Sequence, residues 1–241
     1  MNDSYNQMNQ SKSVHLISEE DINQEISKVF LWMFFGLLTT AMTAYTTTLY
    51  PDFFYSIMEA VQSPFIYILI MISPVLLIRT IVNRADLTAS AAASLFLVYS
   101  AFFGLFLGNI FYRYTAESLF STLLVTSLTF LSMAIYGYYT KKDLTKFGTM
   151  LIIAMWGMFL GFIINLFLQN PLMHTVYCGI GVIVFLGLTA YDLQRMKSDI
   201  IEQKSLTGFY SGKSTILNSF LLYLNFINIF LLLLNFMGDR D

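Results

Sequence analysis

Long apolar runs separated by short polar clusters set the pattern of this chain. A helix that crosses a bilayer needs about 20 mostly apolar residues. Seven segments reach or approach that length: 29–49, 64–82, 87–111, 118–138, 147–168, 175–191 and 215–237. The pattern therefore predicts an all-α integral membrane protein with seven transmembrane helices. Residues 1–28 read as a polar tail, disordered up to about Val14, and residues 29–238 as the transmembrane domain. Within the tail, Ser18-Glu19-Glu20-Asp21 carries a helix-start signal with acids in the first turn, and 21–28 reads as an amphipathic lead-in. The tail has no apolar stretch behind a basic start. No cleavable signal peptide is expected, and the first helix is expected to act as its own insertion signal. Pro51, Pro64 and Pro171 fall at segment ends. Pro74 lies inside the second segment, which predicts a kink whose freed carbonyl is met by a neighbouring helix.

The last two segments carry most of the information. The final one contains Asn218, Asn225, Asn228 and Asn235, which fall within an arc of roughly 100° at about 100° per residue. An amide stripe among Leu, Phe and Ile should avoid lipid, so the last helix is expected to be central in the bundle. Asn225, roughly 15 Å into that segment, has two readings. It is an interhelical hydrogen bond worth about 0.6–2 kcal/mol, or a neutral oxygen ligand beside a polar path. Asp192 ends the sixth segment. It is either a solvated helix-end carboxylate paired with Arg195 three residues on, or an acid turned into the bundle opposite the amides. Arg79 and Arg84, at the inner end of the second segment, are snorkelling anchors or a cation that reaches a buried carboxylate.

Basic residues give the orientation. Lys12, Lys28, Arg79, Arg84, Lys141, Lys142, Lys146, Arg195, Lys197, Lys204 and Lys213 fall on one side, and Arg113 and Arg240 on the other. The positive-inside rule then places the amino terminus in the cytoplasm and the carboxyl terminus outside. The pairs Gly104/Gly108 and Gly157/Gly161 read as close helix contacts within one bundle. Trp32 and Tyr50 read as interface anchors, His174 as an outer surface group, and Trp156, in mid-segment, as packing.

Composition narrows the class. Charged residues make up 12% of the 241-residue chain, against about a quarter in soluble domains. The net charge of −2 offers no basic footprint for nucleic acid. A single cysteine, Cys178, allows neither an internal disulfide nor a cysteine-built zinc site. His15 and His174 lie at different edges, and spacing predicts no cluster of either with Cys178. Gly-x-Ser-x-Gly, His-Glu-x-x-His and P-loop motifs are absent, and so is a mid-helix lysine for a retinal Schiff base. No enzyme activity and no cofactor are expected.

Three motifs carry a resemblance: Tyr136-Gly137-Tyr138-Tyr139-Thr140-Lys141-Lys142-Asp143-Leu144-Thr145-Lys146-Phe147-Gly148, then Gly187-Leu188-Thr189-Ala190-Tyr191-Asp192-Leu193-Gln194, and Leu222-Tyr223-Leu224-Asn225-Phe226-Ile227-Asn228. Together they resemble the transmembrane Bax inhibitor motif family, nearest its bacterial branch, over residues 29–238. The resemblance implies a seven-helix fold with the last helix central, an inner-membrane location and a pH-sensitive calcium leak. In such a leak two aspartates share a proton and an arginine latches onto the first. Asp192 matches the first aspartate and would be a weak calcium site. Arg84 matches the latch, with Arg79 in reserve. The second aspartate is replaced by Asn225. An amide removes the carboxylate repulsion and the shared proton, lowers calcium affinity, and leaves a donor for Asp192. The expected function is a passive calcium leak whose proton switch is weakened or moved to lower pH. The alternative is a non-conducting regulator that binds a membrane protease or stress-response partner. Small-solute transport would need broken helices, and Pro74 alone hints at one.

Overall fold

The computed structural model describes residues 17–61 and 64–238. The expected disorder of the early tail, and the positions of Lys12, His15 and Arg240, lie outside the described residues. Eight α-helices follow one another among those residues: α1 Glu19–Leu49, α2 Pro51–Val61, α3 Pro64–Asn83, α4 Ala89–Leu107, α5 Ala116–Tyr139, α6 Thr145–Leu168, α7 Pro171–Thr207 and α8 Gly212–Met237. A 3-10 turn, Gly108–Tyr112, extends α4. Six of these are long and apolar enough to cross a membrane: α1, α4 with its 3-10 extension, α5, α6, α7 and α8. Of α3, the stretch Ile68–Asn83 counts as a shorter apolar helix.

The helix ends follow from local chemistry. Ser18 caps α1 reciprocally: its hydroxyl accepts from the Asp21 N–H at 3.1 Å while Asp21 accepts from the Ser18 N–H at 3.2 Å. The lead-in and the first span are therefore one helix. The segment 175–191 proves to be part of a much longer helix. α7 starts at Pro171, where Asn170 caps the free Leu172 and Met173 N–H groups, and runs to Thr207. Gly208, at φ 80°, closes it in the left-handed conformation that glycine adopts without strain. The hairpin to α8 is thus short, and Asp192 is a mid-helix residue instead of a helix end.

Pro74 departs from expectation in its partner. The carbonyl it frees is that of Ile70, and the neighbouring Ser73 hydroxyl donates to that oxygen at 2.6 Å, so the helix satisfies itself. α2 was not expected. Phe54, buried on it, stacks on Tyr112 at 5.2 Å.

Packing ranks the helices. α8 packs against α7, α1, α5, α4 and α3, and 56% of its most apolar window is buried. The matching share for α6 is 6%, and α6 leans on α7. α1 and α4 meet closely because Gly104 and Gly108 leave room for Thr40, Thr43 and Thr47 of α1. The other small-residue pair behaves differently. A Cβ on Gly157 or Gly161 would meet nothing within 4 Å, so these glycines make no close contact inside the bundle. Trp156, on the same helix, is 46% exposed with its ring edge toward Phe159 instead of packed inside.

Candidate functional site: an acid and an amide between the last two helices

α7 and α8 run antiparallel through their short hairpin. Asp192 lies 15 residues before the end of α7 and Asn225 13 residues after the start of α8, which puts each roughly 20 Å from the hairpin tip at about 1.5 Å per residue. Equal depth brings them together. The Asn225 Nδ2 donates to the Asp192 Oδ2 at 2.7 Å. Asn225 is buried and Asp192 half-buried.

The cation whose charge acts on Asp192 is Arg195, one turn along the same helix. Arg195 also faces Asp199 at 3.8 Å. The expected arginine latch is not formed in this conformation. Arg84 and Arg79 are exposed, and neither enters any of the ion pairs among the described residues. The Arg84 carbonyl instead accepts from the Lys213 ammonium at 2.6 Å, which ties the end of α3 to the start of α8.

The four asparagines do not act as one stripe. Asn218 donates to the Tyr210 hydroxyl at 2.6 Å. Asn228 and Asn235 turn their amides onto their own helix, to the Leu224 and Leu231 carbonyls at 2.7 and 2.8 Å, and Asn235 accepts from Tyr114. Among the described residues, Asn225 is the one of the four that reaches an acid. Close by on α8, Tyr223 makes a second polar junction. Its hydroxyl pairs with Thr40 at 2.8 Å, and Thr40 also donates to the Ser100 carbonyl at 3.0 Å, joining α8, α1 and α4. A crevice of about 720 Å³ lies between α1, α5 and α8. Its walls are almost wholly apolar, including Leu37, Phe226, Ile227 and Phe230.

The two motifs that precede α8 in the sequence lock together in space. Gln194 holds the α5–α6 loop with both ends of its amide: Oε1 accepts from the Leu144 N–H at 2.8 Å and Nε2 donates to the Lys142 carbonyl at 2.7 Å. Gly137 lies against the Ala190 backbone and Gly148 against the Tyr191 ring, both too close for a Cβ. Asp143 caps the start of α6 through the Thr145 N–H at 2.9 Å, and that bonding holds its carboxyl below the usual range. Asp192 thus sits in a helix gripped two residues away.

Sequence reasoning missed a buried ion cluster at the same end of the bundle. Glu25, 7% exposed, pairs with Lys204 at 3.3 Å and Lys28 at 3.1 Å, and Lys204 also pairs with Asp21 at 3.4 Å. Its signal was available. Ile22, Glu25, Ile26 and Val29 share one helical face, so the acid sits inside an apolar seam. Spacing also misjudged His174. At i, i+4 on α7 its Nδ1 lies 3.8 Å from the Cys178 sulfur, and it is half-buried.

This is a helical membrane protein with a part-buried acid–amide clasp between its last two helices. A family model described as "Inhibitor of apoptosis-promoting Bax1" matches residues 22–241, and the chain belongs to that Bax inhibitor-1 like family. The relatives that follow are from bacteria. An uncharacterized protein of Borreliella burgdorferi is 37% identical over 219 residues, covering 90% of this chain and 93% of its own. "Inner membrane protein YbhL" of Escherichia coli K12 is 37% identical over 219 residues, covering 89% and 91%. An uncharacterized Rickettsia prowazekii protein is 30% identical over 224 residues, covering 92% of each.

Proposed function

We propose that the protein is a passive calcium leak of the bacterial inner membrane, with the Asp192–Asn225 clasp as its gate. In this reading α3 completes a seven-helix bundle around a central α8, and the basic face that carries the amino terminus is cytoplasmic. The observation that carries the proposal is the half-buried acid paired with a buried amide across the α7–α8 seam.

An ionised aspartate at a helix centre costs about 2.5–3.5 kcal/mol in the membrane, less toward the interface. An interhelical hydrogen bond returns about 0.6–2 kcal/mol. Asp192 adjoins Tyr191 near the headgroup end of the span, where the cost is smaller and the bond can offset it; what favours a cation role is that the clasp engages one carboxylate oxygen, Oδ2. Opening the clasp frees the Asp192 Oδ2 and lets the Asn225 side chain turn its carbonyl oxygen to an ion, so that both serve as hard ligands. Protonating Asp192 removes the charge that attracts the ion, which makes the leak pH-modulated. Arg84 belongs to the same reading as a latch of a second conformation. Among the described residues α3 packs lightly, against α4 and α8, which leaves it room to shift.

The test is flux from vesicles loaded with a calcium dye and reconstituted with the full chain. Calcium passage that disappears in Asp192→Ala supports the leak. Absence of passage at every pH, with no rescue by Asn225→Asp, rejects it. A second reading is favoured by the single carboxylate at the clasp, a thin ligand set for calcium. In it the protein is a non-conducting regulator bound to a membrane partner. A stoichiometric crosslinked partner in native membranes, together with no flux, would select that reading.

A further inference from the structure

Near the hairpin end of the bundle, the α5–α6 loop, α7 and the start of α1 enclose a cavity of about 710 Å³. Lys141, Arg195 and Lys197 line it, together with Tyr138, Tyr139 and Tyr191. These cations differ from others at the same end. Lys28 and Lys204 are taken up by Glu25 and Asp21, and Lys213 by the Arg84 carbonyl. Lys141 and Lys197 form no ion pair among the described residues, and Arg195 meets Asp199 only at 3.8 Å. The Lys197 ammonium is positioned without being neutralised. It donates to the Tyr138 carbonyl at 3.3 Å and lies 4.1 Å above the Tyr138 ring.

The height of the cavity matters as much as its charge. The loop joins the last turn of α5 to the first of α6, two helices long enough to span. Its mouth therefore opens where the hydrocarbon ends and headgroups begin. Tyr139, 73% exposed at that level, suits an interface ring. Two carboxylates, Glu19 and Asp143, also line the cavity. Asp143 stays ionised while it caps α6, so three cations face two carboxylates in the lining and the balance is positive.

Unneutralised cations and tyrosines at headgroup height complement phosphate oxygens. We propose that this cavity binds the phosphate of an anionic phospholipid headgroup in the leaflet on the amino-terminal face. A lipid held there braces the loop that Gln194 grips, two residues from Asp192. The site stands whether or not the protein conducts.

Native mass spectrometry of the full chain, incubated in detergent with phosphatidylglycerol or phosphatidylcholine, reads the retained lipid. Phosphatidylglycerol is expected to be retained in preference. Lys141→Gln and Lys197→Gln are each expected to lower its retention about five-fold, and Glu19→Gln to raise it. Lys146→Gln, in the first turn of α6 and outside the cavity, should change nothing. Equal retention of the two lipids by the unaltered protein overturns the proposal, as does unchanged retention in Lys141→Gln. Should Lys197→Gln fail to fold, Lys141→Gln and Glu19→Gln must still move retention in opposite directions. The Lys141 side chain makes none of the contacts described above, so that variant leaves the fold alone. Millimolar inorganic phosphate that both displaces phosphatidylglycerol and stabilises the lipid-free protein would assign the cavity to free phosphate and overturn the lipid source.

Discussion

Asn225 donates a 2.7 Å hydrogen bond to Asp192 across the seam between α8 and α7. An amide stands where the family resemblance places a second aspartate. Two adjacent carboxylates would repel and share a proton. An acid and an amide attract, so this pair rests closed.

Restoring the second carboxylate should therefore open the pair. Asn225→Asp is expected to raise calcium flux several-fold at neutral pH and to steepen its dependence on pH. Asp192→Asn should give a flux that is low and flat across pH, because the protein then has no titratable group at the clasp. Dye-loaded vesicles examined over a pH series check both. A steep profile in Asp192→Asn would place the switch elsewhere.

Arg84 tests the latch on its own. Its guanidinium holds no carboxylate here. If it latches Asp192 in a closed state, Arg84→Gln raises flux while Arg79→Gln leaves it unchanged. Equal flux in both variants and in the unaltered protein would retire the latch for this chain.

The Gln194 clamp should appear as stability. Gln194→Ala removes two hydrogen bonds from the α5–α6 loop, a loss of about 1–3 kcal/mol in total, read as a lower thermal midpoint in detergent. Gly137→Leu should fare far worse. Its side chain would have to occupy the space of the Ala190 backbone, which cannot move aside as a flexible side chain can.

The Glu25–Lys204 pair invites a double-mutant cycle. Both side chains are nearly buried, at 10% and 12% exposure. Breaking a buried pair from one side strands a charge and costs about 3–5 kcal/mol, whereas replacing both partners with apolar groups is often close to neutral. Lys204→Met alone should thus lower the thermal midpoint sharply. Glu25→Leu with Lys204→Met should recover most of the loss. Additive losses would mean that the two residues act separately.

Asp192 and Asn225 show how far reading the chain went. Each was legible as a polar residue in an apolar run, and their pairing was one of two open readings. The pairing was decided by the length of α7. With the sixth segment ended at 191, Asp192 looked like a helix terminus. The helix continues to Thr207 because its next residues still pack inward, Leu193, Met196 and Ile200 all being buried, and a hydropathy run cannot see an amphipathic extension beyond the membrane.

The sequence by itself determined the class of the protein. Long apolar stretches have to become helices, because an unpaired backbone group in hydrocarbon costs too much. The basic side and the helix start at Ser18 follow from equally local rules. Only the tertiary structure decided which polar groups meet. Asn228 and Asn235 are chemically the same as Asn225, yet they donate to their own helix, and among the described residues no acid pairs with them. Glu25, by contrast, meets Lys204 across 179 positions of chain. Partnership across helices depends on relative depth and rotation. Close packing sets both, through contacts such as Gly137 on Ala190 that no single helix contains.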